Sequence, residues 1–398
     1  MISVEEALQI LADHTVDFGT ETLDLEQAMH RVLKEPLFSD RPLPPYDRVT
    51  MDGIAINFDT YKSGARIFPI MGVAAAGMAQ MTLQDANACL EVMTGSILPL
   101  GTDTVIRYED IELSEGQAKL LVEGIAQRQN IHYQGQDRQA GDLIVPMNQQ
   151  IAAPEIGVAA STGKATVLVG RLPKTMVIST GDELVEIDQQ PLKHQIRRSN
   201  VYRIKTTLEA YGIQADTDHI IDDKAAIHQT LSQYLEDYDV IILSGGVSKG
   251  KFDFLPEVLS ELGVTKLFHR IRQKPGKPFW FGQVPGKCTV FGFPGNPVSS
   301  FLCYHRYFKT WLDLSCRGAL KSTPNAKLDA NVSFKPDLTY YLEVALSYSP
   351  QGEIIASPKK GNGSGDLANL ADADAFIELP RGRDHFKAGE VFPIYIYR

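Results

Sequence analysis

Ser244-Gly-Gly-Val-Ser-Lys-Gly-Lys-Phe-Asp253 follows an apolar run and combines glycines, hydroxyls and one acid. Glycines let the backbone approach a ligand closely, and consecutive amides can cradle an anion. Ser248 adds a hydroxyl, and Asp253 is an acid suited to hold a divalent cation against phosphate. The plain alternative is an ordinary tight turn. Lys274-Pro-Gly276-Lys277 sets two ammonium groups on a proline-stiffened loop. Lysine is a flexible point charge suited to phosphate or oxyanion, although a pair of solvated surface lysines would read the same. In Phe293-Pro294-Gly295-Asn296-Pro297, Pro297 fits a first helical turn whose open amides form an anion site, or start a helix that binds nothing. Thr180-Gly181-Asp182-Glu183 puts two adjacent carboxylates at a strand end, where they could bind Mg²⁺ or accept N–H groups, or be a solvated turn. Asp222-Asp223 is a second acid pair, or a helix cap.

Three further places are weaker alone, and turn residues are the better explanation of each: Asp52 before Gly53, Thr94 before Gly95, and Asp137 after Gly135-Gln136. Together, the glycine-hinged anion cradles, close lysines and separate acids suit a large anionic substrate bridged by a metal ion. From the residues alone, the chain reads as a phosphate- or nucleotide-binding α/β enzyme that uses Mg²⁺.

The elements that must position these residues are legible from period and punctuation. Runs at 175–179, 239–243 and 288–293 read as buried strands ending in glycine turns, and 200–211, 225–235, 255–262 and 297 to about 311 as helices. Strand, turn and helix in repetition imply an α/β/α sandwich with a mostly parallel sheet, which binds ligands beyond the carboxyl ends of its strands. Short β-like runs at 67–73, 88–93, 104–108 and 119–122 suggest a small all-β domain. Further runs at 327–334, 340–347, 354–357, 375–379 and 391–397 suggest a second one at the C-terminus. Ser3 and Glu6 form a capping box for an N-terminal helix with Val4, Ala7, Leu8 and Leu11 on one face.

Bulk properties narrow the class. A length of 398 residues exceeds one ordinary core and implies several domains. The net charge of −10 argues against a nucleic-acid or anionic-membrane partner. Cys89, Cys288, Cys303 and Cys316 are widely spaced and read as reduced structural thiols. The N-terminus lacks the pattern of a signal peptide and no apolar run would span a bilayer, so a cytoplasmic protein is expected.

The ordered set PPYDRVTMDGIAI, VMTGSILPLGTDTVI, STGDELVE, RRSNVYRI, LSGGVSKGKFDF, KPGKPFWFG and FGFPGNPVSSF resembles the molybdopterin molybdenumtransferase family (the MoeA and gephyrin E-domain type) from about residue 3 to 398. The resemblance implies a multidomain α/β plus all-β protein. Residues 1–45 and 146–172 would form an elongated linker domain, 46–145 an inserted β domain, 173–320 a molybdopterin-binding α/β/α domain, and 321–398 a C-terminal barrel-like β domain. It implies insertion of molybdate into adenylylated molybdopterin with release of AMP, in a Mg²⁺-dependent homodimer. Asp52, Thr94, Asp137, Glu183, Asp222 and Asp253 would be catalytic, with Asp52 and Thr94 acting across the dimer interface and Glu183, Asp222 and Asp253 handling the metal. Gly181, Asp182, Ser244, Gly245, Gly246, Val247, Ser248, Lys274, Gly276, Lys277, Pro294, Gly295, Asn296, Pro297 and Ser364 would bind pterin, phosphates or molybdate. The upstream adenylyltransferase and downstream molybdoenzymes are the implied protein partners.

Departures from the family pattern accompany this resemblance. The usual Arg-x-x-Gly-Glu-Asp reads His132-Tyr-Gln-Gly-Gln136-Asp137, Ile54 follows the MDG triplet, and Glu343 stands where many relatives carry an arginine. These departures leave open an adenylyltransferase-like or tungstate-preferring paralogue, with a non-enzymatic dimeric scaffold as the third alternative.

Overall fold

The structure, a computed structural model, describes residues 1–247, 254–318 and 322–398. The chain divides into two compact units: Leu23–Met29 with Glu35–Val167, and Met1–Thr22 and His30–Lys34 with Leu168–Arg398.

The first of these units is built on a six-stranded mixed sheet. Its strands are β1 (Gly53–Ile56), β2 (Ile67–Ala74), β3 (Cys89–Val92), β4 (Thr104–Arg107), β5 (Ile111–Ser114) and β6 (Gln117–Leu120), in the order β4-β1-β3-β2-β6-β5. The expected short β runs therefore form one sheet. β1 is central and buried throughout. Its first residue must be glycine, because a Cβ on Gly53 would lie 1.9 Å from the Ile106 carbonyl oxygen.

In the other unit, α1 (Val4–Asp13) carries the expected capping box: the Glu6 N–H donates to Ser3 Oγ at 3.1 Å, and the Ser3 N–H to Glu6 Oε2 at 2.6 Å. The central sheet contains β7 (Thr175–Thr180), β8 (Ala215–Ile220), β9 (Val240–Ser244), β10 (Thr265–His269), β11 (Trp280–Val284) and β12 (Cys288–Phe293), in the order β8-β7-β9-β12-β11-β10. Strand residues alternate between two cores because successive side chains point to opposite faces. Val177, Val240, Ile242, Phe291 and Phe293 pack with α1, α2 (Ser199–Tyr211) and the C-terminal helices of the sandwich. Met176, Ile178, Ile241, Leu243 and Val290 pack with α3 (Lys224–Asp237) and α4 (Leu255–Glu261). Both faces are covered, so the strands read as continuous apolar runs.

The mostly parallel sheet is as expected, and two other expectations need correction here. The sheet is parallel from β8 to β12, and β11 and β10 add an antiparallel edge. Their residues sit among prolines and lysines and carry no clean alternation. The helix after Pro297 does not stop near 311: α5 (Pro297–Cys303), a π turn (Tyr304–Phe308) and α6 (Lys309–Arg317) run on to Gly318, which has φ +70°. The strand expected at 327–334 is two pieces, β13 (Asn325–Leu328) and Val332–Ser333, because Asp and Asn between them favour local turns.

β13 joins β14 (Thr339–Tyr348), β15 (Ile354–Pro358), β16 (Ala375–Leu379) and β17 (Val391–Ile396) in a sheet that closes on itself through β14–β16 pairing, with a separate apolar core. All four cysteines are buried and unpaired, as structural thiols should be. Among the described residues no helix is long and apolar enough to cross a membrane.

Candidate active site

Parallel register brings three of the glycine-rich turns to one edge. Ser179 of β7 lies opposite Ser244 of β9, which lies opposite Phe293 of β12, so the segments that follow leave the sheet side by side. They line a cavity of about 410 Å³ together with the loop after β8. Glu183, Asp222, Gly181, Ser244, Gly245, Gly246, Val247, Pro294, Gly295, Asn296 and Pro297 all face it. Gly245 has φ +109°, and a Cβ there would lie 2.9 Å from the Thr180 carbonyl oxygen, so this turn excludes side chains. Ser248 and Asp253 lie outside the described residues.

The two acid pairs divide their tasks. Asp182 Oδ1 accepts the Asp222 N–H at 3.1 Å and so ties the two acid-bearing loops together. Asp223 caps α3 by accepting the Ala226 N–H at 2.8 Å, the plain reading of that residue. Glu183 and Asp222 remain as the carboxylates lining the cavity. Among the described residues no group of three or more His, Cys, Asp or Glu side chains is arranged to hold a metal ion.

Asn200, to which sequence reasoning gave no role, fastens two of the turns. Its Nδ2 donates to Ser244 Oγ at 3.0 Å and to the Gly295 carbonyl at 2.7 Å. Arg203, one helical turn on, donates to Asn200 Oδ1 at 3.2 Å and to the Pro297 carbonyl at 3.1 Å. Burial pushes the Arg203 guanidinium down to about 10, still cationic at neutral pH, and it lies 4.8 Å from the Phe301 ring centre. The Asn200-x-x-Arg203 spacing at the start of a helix was the available signal.

A second cavity, about 610 Å³, adjoins the first, and Pro278, Pro294 and Asn296 line both. It receives Lys274, Gly276 and Lys277 from one loop, Ser364 and Lys360 from another, and Glu343 from β14. Gln273–Lys274 pairs in parallel with Thr339–Tyr340, so the lysine loop is an extension of the barrel sheet. The Gly276 N–H donates to Ser299 Oγ at 3.2 Å, and Asn296 Nδ2 donates to Ser364 Oγ at 3.1 Å. Sequence reasoning missed Lys360, although Lys359-Lys360-Gly repeats the lysine-and-glycine signal of the Lys274 loop. Glu343 is only 8% exposed, and burial raises its carboxyl above the ordinary range.

Asp52, Thr94 and Asp137 belong to the other compact unit. The Thr94 N–H donates to Asp52 Oδ1 at 2.6 Å, joining the two polar-glycine motifs and holding the Asp52 carboxyl below its usual range. Asp137 accepts from His132 Nε2 at 2.9 Å, and Arg48 donates to His132 Nδ1 at 3.0 Å. A guanidinium can only donate, so Nδ1 is the acceptor of this ring and Nε2 its donor. Gln136 Oε1 accepts the Tyr133 N–H at 3.1 Å, so the missing glutamate is replaced by a residue that holds the turn.

Comparison with known proteins covers the whole chain. Residues 2–163 match the MoeA N-terminal region (domain I and II), 176–313 a probable molybdopterin binding domain, and 325–397 the MoeA C-terminal region (domain IV). A molybdopterin molybdenumtransferase of Synechocystis sp. is 43% identical, with 100% of both chains covered. One of Staphylococcus epidermidis is 27% identical over 99% of this chain and 95% of the relative. The crystal structure of the molybdopterin biosynthesis moeA protein from Pyrococcus horikoshii OT3 superposes with a TM-score of 0.84 at 25% identity, covering 100% of both chains. With full-length identity of this order and all three regions in sequence, the chain belongs to the MoeA, or molybdopterin molybdenumtransferase, family.

Proposed function

We propose that this protein inserts molybdate into adenylylated molybdopterin, releasing AMP and forming the molybdenum cofactor, and that it does so as a cytoplasmic homodimer with Mg²⁺. The observation that carries this reading is the pair of adjoining cavities. One is walled by backbone-rich glycine turns with Glu183 and Asp222, the other by three lysines and two serines, and Asn296 belongs to both. A phosphate-bearing pterin nucleotide suits the first, and a compact tetrahedral oxyanion suits the second.

Glu183 and Asp222 offer hard oxygen donors on one cavity wall. Mg²⁺ commonly takes one or two carboxylates and completes its shell with water and substrate phosphate, so this donor set fits it, with Asp253 as the proposed third acid. When bound, the ion would offset phosphate charge and polarise the phosphoanhydride. The chain's own groups do the rest. Backbone amides of Gly246 and Val247 and of Gly295 and Asn296 hold phosphate, while Lys274, Lys277, Lys360 and Ser364 hold the oxyanion. The Asn296–Ser364 hydrogen bond keeps the two subsites in contact. Asp52, Thr94 and Asp137 are proposed to act in the same reaction.

The test mixes purified protein with adenylylated molybdopterin, molybdate and Mg²⁺ and follows AMP. Release should stop with chelator and return with added Mg²⁺. No AMP above a protein-free control would overturn the reading. Tungstate competition in the same assay measures oxyanion preference.

A further inference from the structure

The lysine-lined cavity contains one group that its charge does not explain. Glu343 lies in the wall, 8% exposed, on the same surface as Lys274, Lys277, Lys360 and Ser364. It forms no ion pair with any of these lysines among the described residues, so its carboxyl is not there to neutralise them. A tetrahedral dianion such as molybdate offers acceptors only. An ionised carboxylate is likewise acceptor-only, whereas a protonated one has an O–H to donate. Beside a bound dianion, Glu343 is compatible as the acid and repulsive as the carboxylate.

We propose that Glu343 is a specificity-determining residue of the oxyanion cavity, donating a hydrogen bond in its acid form and admitting the dianion only with that proton in place. The inference rests on the reading of this cavity as the molybdate subsite. Several groups on neighbouring elements face Glu343. On its own strand are Tyr340, pushed up to about 12 by burial, and Tyr341, raised far above its ordinary range. Tyr397, near the C-terminus, is raised as well. Asp366 is held low by the Asn362 N–H and stays ionised, and its charge further favours the protonated form of Glu343. Asn369 hydrogen-bonds the carboxyl and favours its ionised form, an effect smaller than that of burial. Across the cavity stand Lys274, Lys277 and Lys360. Burial, the largest influence, raises the Glu343 carboxyl above its ordinary range.

The experiment is calorimetric titration of the full chain with sodium molybdate from about pH 5 to about pH 9, in buffers of differing ionisation enthalpy. Above the Glu343 titration, wild-type affinity should fall by up to about tenfold per pH unit, with up to about one proton taken up per molybdate bound. Glu343→Gln, whose amide donates at every pH, should bind with a flat profile and no proton uptake. Glu343→Ala should be flat and weaker, and serves if the glutamine variant does not fold. Lys277→Ala should weaken binding at every pH while keeping the wild-type slope. If Lys277→Ala weakens binding but Glu343→Gln keeps the wild-type slope and proton count, the role of Glu343 is refuted and the subsite stands. If the wild-type protein binds no molybdate, or Lys277→Ala binds as well as wild type, the subsite reading falls and this inference with it.

Discussion

A single amide, Asn200, bridges the turn after β9 and the turn after β12, and Arg203 holds that amide in place. Net hydrogen bonds contribute about 0.5–1.5 kcal/mol each, and leaving a buried partner unpaired costs more. Asn200→Ala should therefore lower stability by about 1–3 kcal/mol in urea unfolding. Because both turns wall the nucleotide cavity, AMP release should fall at least about tenfold, a loss larger than the stability change explains at temperatures where the variant is folded. Equal activity in the folded variant would remove Asn200 from the positioning of the site. The residue types of the glycine turns could be read in advance because a backbone forced close to another, as Gly245 is to Thr180, accepts no Cβ. For Asn200 only the Asn200-x-x-Arg203 spacing was local, and the two partners that it bridges, 44 and 95 residues away, leave no pattern in sequence.

Helices and their caps separate the adjacent acids of the Asp222-Asp223 pair. Asp223 is the N-cap of α3, and removing such a cap costs about 1 kcal/mol. Asp223→Ala should lower the unfolding midpoint accordingly and spare AMP release when folded, whereas Asp222→Ala should do the reverse. The π turn Tyr304–Phe308 between α5 and α6 makes a second prediction. His305 there lies 4.3 Å from the Phe301 ring and near Tyr304 and Tyr397. Burial, with Lys309 and Arg203 nearby, depresses its imidazole from 6.5 to about 3. The folded state thus favours the neutral ring. Its stabilising contribution is complete above about pH 6.5 and is lost as pH falls from there toward 3. The slope is up to about 1.4 kcal/mol per pH unit. Urea midpoints of wild type and His305→Phe measured from neutral to mildly acidic pH should diverge below that point, the variant losing less. Parallel curves would contradict the buried neutral histidine.

For the whole molecule, the proposed homodimer predicts a mass of twice 44.0 kDa by light scattering at micromolar concentration, and a monomer at every concentration would contradict it. Sequence alone determined the strands that are buried on both faces, the helices with clean caps, the turns that demand glycine or proline, and the family, because each of these leaves a short-range signature. It expected one long strand at 327–334 and missed the antiparallel edge of β10 and β11, where local composition and sheet pairing disagree. The existence of two adjoining cavities was decided only by tertiary structure. Parallel register set the turns after β7, β9 and β12 side by side, and barrel closure carried Glu343, Lys360 and Ser364 to the lysine loop. Those juxtapositions depend on hydrogen bonds and packing between residues far apart in the chain, such as Asn296 and Ser364, and pairings at that separation have no periodicity for a sequence to display.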